Sequence, residues 1–259
     1  AISGAFNIIR VIEVTAAGAD GFNRTSTSGM YVGCRSFSNG GDGFESNTAT
    51  IMVACEAYLN TGRGVANNNS SLLIHGLYTH DNTGMGLDTI NGGLQSFAWS
   101  IFEANASHGL EMFVGPATGM LINCTVDGNT GASTDGLSMP TNPNVNALVY
   151  NCIFSNNGRD GARAATDGDS LTIDYCNYFG NVGAARTNVP TGENDQALDP
   201  QFTNRAAGDF SIGANLKALG WPGTFPGALS VGYLDIGAVQ RQELGVGGSV
   251  FGAAGGVIA

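Results

Sequence analysis

Lysine is almost missing from this chain. Lys217 is the only one, and Lys and Arg together number 10 against 21 Asp and Glu, a formal charge of −11. A protein that neutralises phosphates needs clustered basic side chains, so nucleic acid is excluded as a partner, and an anionic membrane surface for the same reason. No apolar run reaches the roughly 18 residues a spanning helix requires, so no membrane insertion is expected. No secretory leader is visible. The chain opens at Ala1 without Met and enters a repeat almost at once, which points to a processed or incomplete N-terminus. The five cysteines include no C-x₂-C pair, which removes the commonest zinc spacing, and no metal site is expected.

Glycine is what the chain has in excess, 40 of 259 residues. So much Gly and Asn would suit disorder, but the apolar residues recur at fixed offsets. Asn39-Gly40-Gly41-Asp42-Gly43-Phe44 returns as Asn60-Thr61-Gly62-Arg63-Gly64-Val65, as Asn82-Thr83-Gly84-Met85-Gly86-Leu87, and, worn, as Asn105-Ala106-Ser107-His108-Gly109-Leu110. The key Asn is found at 39, 60, 82, 105, 129, 157 and 181, in steps of 21, 22, 23, 24, 28 and 24 residues. A period of that size is the mark of a solenoid. Residues eight before each Asn are apolar, from Tyr31 and Met52 to Ile173, and all five cysteines lie five before it. Short β-rich runs between Gly turns predict an all-β, single-stranded parallel β-helix of about eight turns. The seven Asn side chains are expected to bond one another rung to rung, with left-handed backbone at the Asn corner. The cysteines read as buried free thiols.

Four segments follow. Residues 1–24 are a degenerate first turn and 25–185 the repeats. Residues 186–243 form a non-repeating cap expected over the open end of the sheets, and 244–259 a Gly/Ala-rich apolar tail. The cap carries Asp199-Pro200-Gln201-Phe202, then Asp209-Phe210, then Asp235-Ile236-Gly237-Ala238. Together with the repeats, this run resembles the pectate-lyase-like superfamily of right-handed parallel β-helices, in particular bacterial surface or secreted and phage-associated members. The resemblance implies the right-handed coil and a sugar-facing role. It implies no single activity, because the family mixes sugar-cleaving enzymes, adhesins and phage appendages. The Asn-Thr-Asp, Asp-Asp and Arg-Ile-Lys motifs of its polygalacturonase-like members are absent, and Ser107-His108-Gly109 is only a fragment of their Gly-His-Gly.

Two columns offer chemistry. Two before each Asn stand Phe37, Tyr58, His80, Glu103, Asp127, Ser155 and Phe179, expected to face solvent. Glu103 and Asp127 on adjacent turns have roughly the 5 Å spacing of a retaining glycosidase pair, with His80 as acid/base neighbour. Phe37 and Tyr58 would be sugar platforms. Three after the Asn stand Asp42, Arg63, Met85, His108 and Asp160, with Asp20 in the first turn. These read as ion pairs, or as the base and calcium-holding acids of a lyase; calcium is otherwise unsupported and no cofactor is expected. The functional expectation is a structural or adhesive subunit of an extracellular, cell-surface or virion assembly, such as an appendage or fibre, that self-associates and faces a glycan. The alternative is a secreted polysaccharide lyase or glycoside hydrolase.

Overall fold

The computed structural model describes residues 6–68, 71–90, 93–112, 118–140, 146–165, 170–217, 219–220 and 235–240. The apolar tail at 245–259 and most of the insertions at 111–119 and 138–146 lie outside them. Three parallel sheets of eight strands each run the length of the molecule. Sheet A holds Asn7–Arg10, Gly29–Val32, Thr50–Val53, Leu72–His75, Leu94–Ala98, Thr118–Ile122, Asn146–Tyr150 and Ser170–Asp174. Sheet B holds Glu13–Thr15, Arg35–Phe37, Glu56–Tyr58, Tyr78–His80, Ile101–Glu103, Thr125–Asp127, Ile153–Ser155 and Asn177–Phe179. Sheet C holds Phe22–Arg24, Phe44–Ser46, Val65–Asn67, Leu87–Thr89, Leu110–Glu111, Leu137–Met139, Ala162–Ala164 and Arg186–Thr187. One strand from each sheet makes a rung, and rungs 1 to 8 follow chain order. Two short 3₁₀ turns, Arg205–Ala207 and Ala214–Leu216, are the only helical pieces among the described residues.

Because side chains alternate along a strand, every rung sends one set inward. Tyr31, Met52, Phe97 and Leu121 from sheet A, Phe102, Val126 and Phe154 from sheet B, and Phe44, Leu87, Leu110 and Leu137 from sheet C form one continuous core. The cysteines are free and buried in it. Burial pushes the Cys55 thiol up to about 12, so it is inert as a nucleophile at neutral pH.

The corner between sheets B and C is built by the repeated Asn. Asn39 Nδ2 donates to Asn60 Oδ1 at 2.9 Å, Asn60 to Asn82 at 2.9 Å, and Asn82 to Asn105 at 3.0 Å. The file continues through Asn129 and Asn157 to Asn181. Each Nδ2 also reaches the carbonyl of a strand one rung back, as Asn60 does to Ser36. In rung 1, where Ala17 replaces the Asn, only its backbone N–H takes part, donating to Asn39 Oδ1 at 3.0 Å. The left-handed backbone lies elsewhere than expected. It falls on the residue before each Asn, with φ of 55° at Ser38 and Leu59, 54° at Asp81 and 47° at Ala104. The Asn is needed for its amide, and the residue before it makes the turn. The last Gly of the motif is needed for space: a Cβ on Gly64 would stand 2.6 Å from the Gly86 carbonyl oxygen of the next rung.

The C-terminal segment divides in two. Gln196 pairs with Asn177 at the open edge of sheet B, and Val189 packs against the core. Beyond Pro200 the chain leaves that end and lies back along the outside of sheet B, so only the first part of the segment sits on the open end, where the sequence reading put all of it. Ile212, Leu216 and Ile236 pack there on Ile153. Ala238 N–H donates to Thr125 Oγ1 at 3.0 Å, and Arg205 pairs with Asp127. This strap decides which outward residues of sheet B meet solvent.

Candidate functional site

His80, Glu103 and Asp127 do stand in register on neighbouring strands of sheet B. Their surroundings separate them. Asp127 is fully buried beneath the strap, where Arg205, Ser155 Oγ at 2.6 Å and Asn156 Nδ2 at 2.8 Å hold it. Strand alternation alone would leave it in solvent; the strap, which has no repeat to reveal its path, covers it. Glu103 is 9% exposed and accepts a hydrogen bond from Tyr78 Oη. Burial raises its pKa, against the pull of the Tyr78 bond and the His80 charge.

Phe37 and Tyr58 stack at 4.8 Å, and Tyr58 and His80 at 4.9 Å, with their planes nearly parallel. The rung repeat matches the separation of stacked rings, so each ring covers its neighbour. Both faces of Tyr58 are occupied, and a sugar would meet only edges there. His80 Nε2 lies 3.2 Å from Glu56 and Nδ1 2.8 Å from Asp81. Burial lowers its basicity, but the two carboxylates outweigh it and raise its pKa. The sign follows: a folded-state pKa above the unfolded one gives stabilisation that is whole below pH about 6.5 and is lost as pH rises through the folded value. The denaturation midpoint of the wild type, measured against His80→Phe, is therefore expected to fall as pH rises from 6.5. A constant difference across that range would contradict the placement of His80 between two carboxylates.

A denser cluster lies around the corner, on the outward positions of sheet C and the turn beside it. Arg63 Nη2 meets Asp42 at 2.7 Å and its Nη1 meets Asp88 at 2.6 Å. Asp88 is in register with Glu111 on the next strand, and Glu111 with Ser138, whose Oγ is 3.3 Å from its carboxylate. His108 Nδ1 accepts the Asp135 N–H at 2.8 Å, which fixes the ring proton on Nε2, 3.9 Å from Glu111. Burial lowers the pKa of His108 despite the Asp135 charge, so the ring is neutral and a donor through Nε2. Arg159 grips buried Asp135 through two nitrogens.

Burial, then the neighbouring charges of Asp88 and Asp135, raise the pKa of Glu111. Asp88 is also buried. One of its oxygens binds Arg63, and the other, Oδ1, has no hydrogen-bond partner among the described residues. Two neighbouring carboxyls thus sit in opposite settings, one facing a guanidinium and one held toward its acid form, which is how acid and base roles are separated. Among the described residues no three His, Cys, Asp or Glu side chains are grouped to hold a metal.

The turn column first read as ion pairs or a lyase site has a structural job too. Asp20 Oδ1 accepts Asp42 N–H at 2.8 Å, Asp42 accepts Arg63 N–H at 2.6 Å, and Asp160 accepts Ala184 N–H at 2.8 Å. Asp88, Glu111 and Asp135 escaped the sequence reading. The first two stand six places after the Asn, directly after the buried apolar position, and that outward column was readable. Asp135 was displaced by the longer sixth rung.

The architecture has known counterparts. The crystal structure of pectate lyase Pel9A superposes with a TM-score of 0.55 at 14% identity, over 89% of this chain and 70% of that one. The chain has a parallel β-solenoid fold like that of this lyase. The A-module of mannuronan C-5 epimerase AlgE4 from Azotobacter vinelandii is a more distant likeness, with a TM-score of 0.46 and 13% identity over 75% of this chain and 58% of that one. No protein-family model and no curated protein matches the sequence. At these identities the likeness speaks for the solenoid alone, and the arrangement of Arg63, Asp88, His108 and Glu111 has to be read on its own chemistry.

Proposed function

We propose that this solenoid acts on an extracellular polysaccharide laid along the outer face of sheet C, and that it cleaves a glycosidic bond there by general acid catalysis. The observation that carries this reading is the register pair Asp88 and Glu111 in unlike environments. Adjacent strands stand about 4.8 Å apart, close to the roughly 5–5.5 Å between the two carboxyls of a retaining glycosidase. Glu111, protonated, gives its proton to the glycosidic oxygen as the bond to C1 breaks. Asp88 Oδ1, covered in the free protein, is reached as the sugar seats and displaces the side chains over it, and it stabilises the positive charge developing on the ring, as a glycosyl ester or an ion pair. Water, deprotonated by Glu111, then releases the sugar and restores both groups. His108 Nε2–H donates toward Glu111 in the carboxylate stage, and Arg63 keeps Asp88 in place.

Such chemistry fits the secreted alternative in the sequence reading, moved from sheet B to sheet C. A role as a subunit of an extracellular or virion assembly is the second reading, favoured by the apolar outer face of sheet A described below.

The test is release of reducing ends from a panel of neutral and acidic polysaccharides. Glu111→Gln and Asp88→Asn are each expected to lower kcat at least about 100-fold with KM little changed. Glu103→Gln on sheet B should retain full rate. Full activity in Glu111→Gln, or no depolymerisation of any polymer by the wild type, would defeat the proposal. Ultraviolet absorbance from an unsaturated uronyl end would show elimination in place of hydrolysis.

A further inference from the structure

The outward side chains of sheet A run against the usual rule for a solvated sheet face. One column carries Ile8, Met30, Ile51, Leu73, Met120 and Leu148, of which Ile8, Leu73 and Met120 are 49%, 40% and 38% exposed. The next column carries Val32, Val53, Ala98, Ile122 and Tyr150, and is closed by Arg10 on rung 1 and Asp174 on rung 8. The face runs along eight strands and is apolar over rungs 2 to 7 except at Ser96 and His75, with Ile8 and Arg10 on rung 1 and Thr172 and Asp174 on rung 8. Its footprint is about 38 Å by about 14 Å, from strand spacing and rise. Isolated apolar side chains on a surface are ordinary, but a contiguous strip of this size marks an interface.

We propose that this face pairs with the same face of a second copy, with the two solenoid axes antiparallel. The charges choose the arrangement. A two-fold axis parallel to the strands turns rung 1 of one copy onto rung 8 of the other, and keeps each column opposite itself. Arg10, exposed and without a carboxylate partner among the described residues, then faces Asp174 of the second copy at both ends of the interface. Asp174 is already fixed by Asn194 Nδ2 at 3.0 Å, so its carboxylate is presented in one orientation. The alternative axis, along the solenoid, exchanges the two columns and would set Arg10 against Ile8 and Asp174 against Thr172, leaving both charges unpaired.

Sizes agree with the same choice. At the centre, rung 4 meets rung 5, so the large Leu73 faces the small Ser96, and His75 faces Ala98. Two flat sheets packed face to face about 10 Å apart need this interleaving of large and small. A flat footprint of about 500 Å² per copy, roughened by side chains, approaches the ~800 Å² per partner of a standard interface.

Light scattering on the full chain over a concentration series is the first readout, with twice the chain mass expected. Leu73→Asp is expected to raise the dimer Kd at least thirtyfold, about 2 kcal/mol, as for a hot-spot residue. Its circular dichroism should be unchanged, because the side chain points out of the core. The second readout fixes orientation. Val32 and Tyr150 lie on rungs 2 and 7, about 24 Å apart within one chain and beyond any disulfide. They oppose each other between antiparallel copies. A bis-maleimide linker of about 8–10 Å, matched to the sheet separation and too short to join the two positions within one chain, should give covalent dimers with the Val32→Cys, Tyr150→Cys double variant and with neither single variant. Covalent dimers from Val32→Cys alone would place like rungs opposite and overturn the arrangement. A monomer at every concentration overturns the proposal. So does a dimer that survives Leu73→Asp but is lost on deleting residues 245–259, or Leu73-dependent binding to phosphatidylcholine vesicles by a protein that stays monomeric.

Discussion

Asn105→Ala lowers the unfolding free energy by about 4 kcal/mol, the largest single-site loss expected in this chain. The side chain is fully buried in the middle of the Asn file. Its Oδ1 accepts from Asn82 Nδ2 at 3.0 Å and from the Asn82 N–H at 3.3 Å, and its Nδ2 donates to Asn129 Oδ1 at 3.1 Å and to the Thr79 carbonyl at 3.4 Å. Alanine orphans two donors and leaves two acceptors short in a fully buried corner. Each orphaned buried group costs roughly 1–3 kcal/mol, and partial relaxation keeps the sum below the upper limit. Asp, with the same outline, keeps the acceptor but turns the donor end into a second acceptor facing Asn129 Oδ1, so it should be no better. Urea denaturation followed by circular dichroism measures the loss. A change below about 1 kcal/mol would mean that the amides are replaceable and the core alone holds the rungs. A comparable substitution at Asn39, next to the rung where Ala17 breaks the file, should cost less.

Arg205→Met is expected to cost about 3 kcal/mol and to loosen the strap without unfolding the solenoid. Asp127 has no exposure, and the guanidinium is the only cation paired with it among the described residues. Removing one partner of a buried pair leaves the other charged and desolvated, a loss of roughly 3–5 kcal/mol; here Ser155 and Asn156 still bond the carboxylate and soften it. Gly128 belongs to the same joint. Its φ is 63°, and a Cβ there would stand 2.0 Å from an Arg205 nitrogen. Limited proteolysis should show cleavage between residues 199 and 217 appearing in Arg205→Met while the rungs stay intact. The double variant Arg205→Met, Asp127→Asn should recover part of the loss, because the unpaired charge is gone. If the single variant is as resistant as the wild type, the strap is held by the Ile153, Ile212, Leu216 and Ile236 contacts alone.

The sequence carried the rungs plainly, because translation along a solenoid repeats one environment and therefore one residue type. Tyr31, Met52 and Ile74 are apolar for the same reason in the same place, and Asn39, Asn60 and Asn82 likewise. Two things were illegible. The strap occurs once, so no period could show that Arg205 reaches Asp127 or that Ile236 covers Ile153. And a column of rings on a strand face looks like a row of platforms until the rung spacing is compared with ring thickness, which turns Phe37, Tyr58 and His80 into one stack. The cluster at Asp88 and Glu111 was half legible. Its register follows from the repeat, but the neutral tautomer of His108 depends on the Asp135 N–H, and the sixth rung, stretched by insertion, hid Asp135.

The Asn file has an electrical consequence. In a parallel sheet, backbone N–H groups point alternately to either side and their dipoles largely cancel. The side-chain amides from Asn39 to Asn157 do not alternate: every carbonyl accepts from the lower rung and one N–H of each donates to the higher rung, while the second N–H bonds a backbone carbonyl one rung back. Six aligned amide bonds polarise one another and give the rod a positive end at rung 8 and a negative end at rung 2. Two rods lying side by side are attracted only when these directions oppose, so the thread of amides inside each solenoid would favour the same antiparallel order proposed from Arg10 and Asp174 at its surface.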